Sequence, residues 1–558
     1  MPASSQSLLR RLSSLHAIFG EDTAHERLGL LRQLVRRRLE TSGEVEELHE
    51  LVCFIHAYPD NADVHAAASA VLVSFARRSD LRRNRRALAN SGIAGTDIYF
   101  RFYWVMASWL AKRWPESLTI DWPEFETKTQ LAGNLDLLLP YSETPALDMT
   151  DDSARGWIER LKGPRETDAA FLIRRFDGLD GGELVRERLY ELLDPPLRLA
   201  AGPTTPARTT AHLGGSKIAF QRRALSHHRP NLRREIARRP RSVTRVTPAE
   251  GTRLVDLARA SMVTRARDLD AFANADENDV GVVEFERGLS FAWFGLKAER
   301  RLMLESSYGF LTLKNGVPAG YVLASSLFGS TEVAFNVFET FRGAEAGLVF
   351  CRVLAMVRRL FGSDAFGIDP YQLGLGNLEG LRSGAWWFYY KMGFRPEDRD
   401  VRRVLKRELD EMKVDPSHRS TTATLEQLAA DYLFFFLDRP RHDVLGRVSL
   451  GNVGLAISSY LADRFGGERE KAIETCAKEA RHLLGLRSLR GFSLGERLMW
   501  RRWSPLIMIL PGVEGWSPAR KRALVDVVRA KGGTSELEFV RRVNRHTLLN
   551  ESLLQLAR

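Results

Sequence analysis

Cysteine is scarce. The 558 residues include three, Cys53, Cys351 and Cys476, all far apart in the chain. That spacing excludes a disulfide framework and a cysteine-based zinc site, and it fits a reducing compartment, so a cytoplasmic location is expected. Long apolar runs are missing as well: none approaches the roughly 18 residues that span a bilayer, and no transmembrane segment is expected. The opening stretch, MPASSQSLLRRLSSLHAIFG, has two arginines but neither an adequate apolar core nor a small-residue cleavage pattern. It reads as an amphipathic helix and not as a secretory signal. No repeat of fixed period occurs, which excludes a regular solenoid. H-E-x-x-H does not occur, and His227-His228 stand without partners in a Pro- and Arg-rich stretch, so no metal is expected.

Acidic residues are nearly missing from one segment. Residues 208–245 hold eleven Lys and Arg against Glu235 alone, most of the whole-chain surplus of +12. Pro203, Pro206, Gly214, Gly215, Pro230 and Pro240 interrupt the same region, a composition that reads as a basic connector over 203–247. Such a connector can touch phosphates. No RNA-binding aromatic motif stands beside it, and nucleic acid is not expected as a partner.

What is present is an ordinary globular composition, 44% apolar and 27% charged, on a chain too long for one core. Residues 1–202 read as helical throughout. ERLGLLRQLVRRRLE and VEELHELVCFIHAY space apolar residues by three and four, and DVHAAASAVLVSFARR resumes the pattern after Pro59-Asp60-Asn61. The aromatic-dense IYFRFYWVMASWLAKRW marks a buried segment.

After the connector the texture changes. Thr247-Pro248-Ala249-Glu250 is a helix start, with a cap, a first-turn Pro and an acidic residue three positions on. Strand-like segments follow: VGVVEF, LSFAWFGL, YGFLTL, GYVLASSLF and TEVAFNVFETF. Asn315-Gly316 between two of them predicts a type I′ hairpin turn. In the last, Val333, Phe335 and Val337 share one face and Ala334, Asn336 and Phe338 the other. AEAGLVFCRVLAMVRRLFG is then a helix closed by Gly362. AFGID is a short strand, and SGAWWFYYKMG a helix that Ser383 would cap and Gly393 end. The strand-to-helix junction FETFRGAEAGLVF exposes free backbone N–H groups, an arrangement suited to a pyrophosphate, with Arg342 as a charged contact.

The order strand, small-residue turn, helix, strand, aromatic helix resembles the GNAT superfamily of N-acyltransferases, whose members carry [Gln/Arg]-x-x-Gly-x-[Gly/Ala] at that turn and Tyr-x-x-x-Gly-Phe at the end of the last helix. This chain has Arg342-Gly343-Ala344-Glu345-Ala346-Gly347 and Tyr389-Tyr390-Lys391-Met392-Gly393-Phe394. The resemblance covers residues 248–410 and departs from the pattern at Glu345, where a carboxylate replaces the central Gly. That side chain either repels the pyrophosphate or turns away to pair with Arg342 or Arg352. The resemblance implies acyl-CoA or acetyl-CoA as co-substrate, held by Arg342, Gly343, Ala344, Ala346 and Gly347, and an amine-bearing acceptor, small molecule or protein. It implies Tyr389 as the acid that protonates the departing thiolate. Direct transfer also needs a base. Glu339 at the strand end is the leading choice, ahead of Glu332 and Glu379.

Two further features are set aside. GLGNLEG misses G-x-G-x-x-G because Glu379 stands where the third Gly belongs, and the βαβ setting is missing. It reads instead as an enlarged connection that places Asn377 and Glu379 at the rim of an acceptor pocket. Cys351 lies on an apolar helix face and reads as core.

Beyond residue 410 the chain reads as helical again, from RSTTATLEQLAADYLFFFLD to the basic terminal helix, with Trp500, Trp503 and Trp516 as packing anchors. The expected fold is thus a multidomain α+β chain. It has an all-helical domain at 1–202, the linker at 203–247, a GNAT-like mixed-sheet domain at 248–410 and an all-helical domain at 411–558. The expected function is an acyl-CoA-dependent N-acyltransferase. The alternative is a non-catalytic GNAT-like scaffold that binds a protein partner through its helical regions.

Overall fold

The computed structural model describes residues 4–149, 152–215, 217–225, 229–343 and 345–558. The chain is α+β and divides into two compact units. The first comprises 1–225, 252–274 and 313–318, the second 226–251, 275–312 and 319–558. Among the described residues no helix is long and apolar enough to cross a membrane.

The first unit is mostly helical, as its three- and four-residue apolar spacing requires. Leu8, Leu9, Leu31, Leu34, Val45, Val52 and Phe75 of its amino-terminal helices meet in one core. It also holds strands where helix alone was expected: β1 (Ile98–Phe100), β2 (Leu118–Ile120) and β3 (Leu197–Leu199), in the order β1-β3-β2. The aromatic-dense segment supplies β1 and the following helix Trp104–Arg113, and it buries Phe102 and Trp104. Three-residue strands carry too little alternation to stand out from a helical background.

The second unit is built on a sheet of β4 (Ser242–Arg245), β5 (Ala275–Glu284), β6 (Leu289–Leu296), β7 (Ser306–Lys314), β8 (Val317–Leu327), β9 (Ser330–Val337), β10 (Ala365–Ile368), β11 (Arg395–Pro396) and β12 (Leu433–Phe436). Their order is β11-β12-β10-β9-β8-β7-β6-β5-β4. Asn315 (φ 50°) and Gly316 (φ 81°), which count with the first unit, make the β7–β8 turn with both residues left-handed, as the Asn-Gly pair predicts. The helices α1 (Leu232–Ile236), α3 (Ala346–Phe361), α4 (Leu378–Ser383), α5 (Ala385–Met392) and α6 (Arg399–Val414) belong to this unit, and α2 (Pro248–Val263) begins in it and continues in the first. Gly362 and Gly393 end α3 and α5 in left-handed conformations. Ser383 does not cap α5. It ends α4, and its hydroxyl donates to the Gly380 carbonyl, while Gly384 precedes α5.

Three regions differ from expectation. LFFF, expected within a helix, is β12 and inserts between β10 and β11, so the sheet extends past residue 410. An unbroken aromatic run has no helical period of its own, and pairing on both sides decides its state. The carboxy-terminal helices are not a separate all-helical body. Trp500, Trp503 and Trp516 share one continuous core with Phe350 and Phe366. The connector is structured at its carboxy-terminal end: β4 pairs antiparallel with β5, and Leu232 and Ile236 of α1 join that same core.

One buried cation fixes α1. Arg352 of α3 is 2% exposed and donates to Glu235 of α1 at 2.7 Å and to Glu286 at 3.1 Å. The isolated Glu235 of the basic segment is therefore a structural counter-ion. Removing one member of a buried ionic group costs about 3–5 kcal/mol because the others stay desolvated. Arg352→Met should lower the unfolding free energy of this unit by about that amount in a denaturant titration. An unchanged midpoint would mean that α1 is not held to α3 by charge.

Candidate active site at the diverging strands

β9 and β10 run parallel for three residue pairs, Ser330 with Ala365, Thr331 with Phe366 and Glu332 with Gly367. β10 then ends at Ile368, while β9 continues to Val337 against β8 alone. Beyond Glu332 one edge of β9 is therefore released by its neighbour, in the middle of the sheet.

On one face the gap is filled by aromatics. Phe335 packs against Phe350 of α3 and Phe388 of α5, with ring centroids 5.4 and 6.5 Å apart. Tyr389 is 3% exposed beside Phe350, and its hydroxyl is hydrogen-bonded by the backbone of Phe335. Burial pushes the phenol well above its ordinary range, and the Phe335 backbone works against that by favouring the ionised oxygen. Tyr389 is thus lodged where β10 stops pairing.

The opposite face is acidic. Glu332 accepts a hydrogen bond from the Tyr432 hydroxyl at 3.1 Å. Tyr432 also bonds Asp369, which stands just beyond β10 and caps the next helical turn by accepting from the Tyr371 N–H at 2.7 Å. The Tyr432 ring lies against Gly446, where a Cβ would come within 2.6 Å of it. Desolvation, and then the neighbouring Asp369, push the Glu332 carboxyl up to about 7. Two residues further along the same face as Ala334, the buried Oδ1 of Asn336 has no hydrogen-bond partner among the described residues. A carboxylate near neutrality with a phenol and a second carboxylate around it can take a proton at physiological pH and can hold a cation.

The turn before α3 is arranged differently from expectation. Glu345 pairs with neither Arg342 nor Arg352. It is buried, left-handed at φ 48°, and pairs with Arg287 at 3.3 Å. Arg342 pairs with Glu379, so the enlarged 371–380 connection is tied to the turn by charge. Gly343 is exposed at φ 85°, Ala346 is half-buried, and Ala344 lies outside the described residues, as do His227 and His228. At Gly347 a Cβ would sit 3.4 Å from Pro230 and 3.5 Å from the Met392 sulfur, so that side of the first turn is covered. Cys351 is fully buried, its thiol pushed up to about 12 by desolvation, as a core residue would be.

Glu339 is exposed on the short turn Glu339–Phe341, seven residues and about 20 Å along the chain from Glu332. The structure therefore gathers Glu332, Asp369 and Tyr432, and leaves Glu339 apart from them. The sequence pattern favours Glu339 over Glu332 and does not single out Asp369 or Tyr432. The one local signal for Asp369 was its place after AFGI and before Pro370. Tyr432 is a hundred residues from Glu332, and no local pattern links them.

The raised Glu332 carboxyl has a measurable consequence. Between about pH 4 and 7 the native state keeps a proton that the unfolded chain has released, so stability falls as pH rises through that window. Glu332→Gln cannot ionise. At pH 8 it should be more stable than the parent by about 2–4 kcal/mol, with the difference closing toward pH 4. Parallel melting curves at both pH values would mean that Glu332 titrates normally.

Comparisons with protein-family models, with curated proteins and with solved structures gave no match for this chain.

Proposed function

We propose that the second unit is a GNAT-type N-acyltransferase that moves an acyl group from an acyl-CoA to an amine. The observation that carries this reading is the divergence of β9 and β10, with Tyr389 in the gap on one face and Glu332, Tyr432 and Asp369 on the other. The position of Tyr389 in its aromatic helix, read with the turn before α3, supports the same assignment.

In this mechanism the acidic face receives the protonated amine. Glu332, near neutrality, removes one proton, and the free amine attacks the thioester carbonyl. The carbon–sulfur bond breaks as the carbon–nitrogen bond becomes an amide. Tyr389 gives its proton to the departing thiolate, and the second proton of the attacking nitrogen restores the phenol through solvent. Glu332 suits the base better than Glu339, which stands exposed at the far end of the strand. The free N–H groups at the start of α3 would hold the pyrophosphate, and pairing with Arg287 keeps the Glu345 carboxylate occupied.

Two observations favour the second reading, a scaffold without activity. Pro230 covers Gly347, and Arg342 is already engaged by Glu379. A thermal-shift titration with acetyl-CoA and longer acyl-CoAs separates the two. A donor at a hundred times its dissociation constant should stabilise the protein by about 2.7 kcal/mol. With a donor identified, Glu332→Gln and Tyr389→Phe should each lower turnover about 10²–10⁴-fold and leave donor binding nearly unchanged. Absence of stabilisation by every acyl-CoA would favour the scaffold, and full turnover in Tyr389→Phe would return that residue to the core.

A further inference from the structure

We propose that α6 and the turn after it form a site for one divalent cation of the zinc class, with Glu408, Glu411 and His418 as ligands. Glu408 and Glu411 are three residues apart on α6, so both carboxylates leave the same helix face. The chain then turns at Asp415, where the His418 N–H donates to the Asp415 carbonyl, and this brings the imidazole back over the last helical turns. His418 Nε2 lies 3.1 Å from Glu408 Oε2 and 3.5 Å from Glu411 Oε2, and the three ligand atoms all lie within 4.8 Å of one another.

The 3.5 Å between His418 and Glu411 matches two ligands of one metal, and the 3.1 Å between His418 and Glu408 would have to open slightly to admit the ion. Zinc bonds to imidazole nitrogen and carboxylate oxygen are about 2.0–2.2 Å, which puts neighbouring ligands of a tetrahedral site about 3.3–3.6 Å apart. Two carboxylates and one imidazole are a zinc donor set, whereas calcium and magnesium take oxygen ligands in larger number. The ligand with least freedom is also oriented from behind. The Ser420 hydroxyl donates to Glu408 Oε2 at 2.6 Å, and the Trp387 indole donates to the Ser420 hydroxyl at 3.1 Å. Glu408 is 3% exposed, while His418 and Glu411 border an open depression, so the remaining coordination position would face solvent. Such outer partners are what hold metal ligands in place.

The same depression is bordered by Arg403, Lys406 and Arg407, of which Arg403 pairs with Asp400. Against desolvation, which would raise it, hydrogen bonds from Ser420 and His418 hold the Glu408 carboxyl below its usual range, with the charges of His418 and Arg407 adding to them. The competing arrangement is therefore an imidazolium paired with both carboxylates and no metal. It differs in one measurable respect, because an imidazolium cannot ligate.

The test is titration of the full chain with Co²⁺, read by its visible absorption, and with Zn²⁺ by calorimetry. The expected result is one equivalent that gives a tetrahedral cobalt spectrum and is lost in His418→Ala. Glu411→Gln, which changes an exposed side chain and spares the fold, should weaken binding at least about tenfold, and Ser420→Ala about 10–100-fold. His56→Ala serves as the control, because His56, His65 and His212 form another group of imidazoles among the described residues. It should leave the cobalt spectrum unchanged. The absence of a cobalt spectrum, or equal binding by the parent, His418→Ala and Glu411→Gln, would overturn the proposal.

Discussion

The second unit depends on a parallel strand pair that stops early. Parallel neighbours cannot be joined by a tight turn, so the chain between β9 and β10 must cross the sheet, and α3 is that crossover. Once α3 is placed, its apolar face sets the core: Phe350, Val353, Leu354 and Val357 are fully buried in it. The early stop of β10 then leaves backbone of β9 without a strand partner. Buried backbone groups need partners of some kind, and the Tyr389 hydroxyl takes Phe335. Parallel pairing, crossover helix and buried tyrosine are three consequences of one topological choice.

Charge follows the same logic. α3 carries Arg352 into the core, which is tolerable only because Glu235 and Glu286 arrive from two other segments. Further along the unit Lys531 and Glu536, neither exposed, bond each other at 2.5 Å, and the lysine also donates to the Glu305 carbonyl. Groups like these define which segments meet, because any other packing leaves a desolvated charge unpaired. Glu332 is the exception. It is desolvated beside another carboxylate, with a phenol as its hydrogen-bond partner and no cation paired with it among the described residues.

Local pattern was enough to read most of the sheet. LSFAWFGL is β6 residue for residue, the Asn315-Gly316 turn has both residues left-handed, and the alternation in TEVAFNVF puts Phe335 toward α3. Each of these is decided within about ten residues. β12 was not legible, because LFFF has no period and its state depends on β10 and β11, far away in sequence. The acidic face was hidden for the same reason: Glu332 meets Asp369 and Tyr432 only after two strands and a long connection have folded. Glu408, Glu411 and His418 lie within a single turn and its exit, but Glu-x-x-Glu followed by a distant His has no distinguishing spacing until the chain bends at Asp415.

Glu345 shows how a local conflict is resolved by distant geometry. A carboxylate about 4 Å from a bound phosphate would cost about 4 kcal/mol at an effective dielectric near 20, enough to weaken binding by nearly three orders of magnitude. Read along the chain alone, the residue therefore argues against an anion at the start of α3. In the fold its left-handed backbone, which glycine would adopt without strain, directs the side chain to Arg287, itself left-handed at φ 59°. The pair brings a compensating positive charge to the carboxylate. What decides whether an anion can approach is then the cover over Gly347, where Pro230 lies against the first turn of α3, and not the sign of the charge at 345. An approach from the exposed Gly343 side leaves that cover in place and needs only that Arg342 exchange Glu379 for the ligand, a swap between two half-exposed partners that costs little in water.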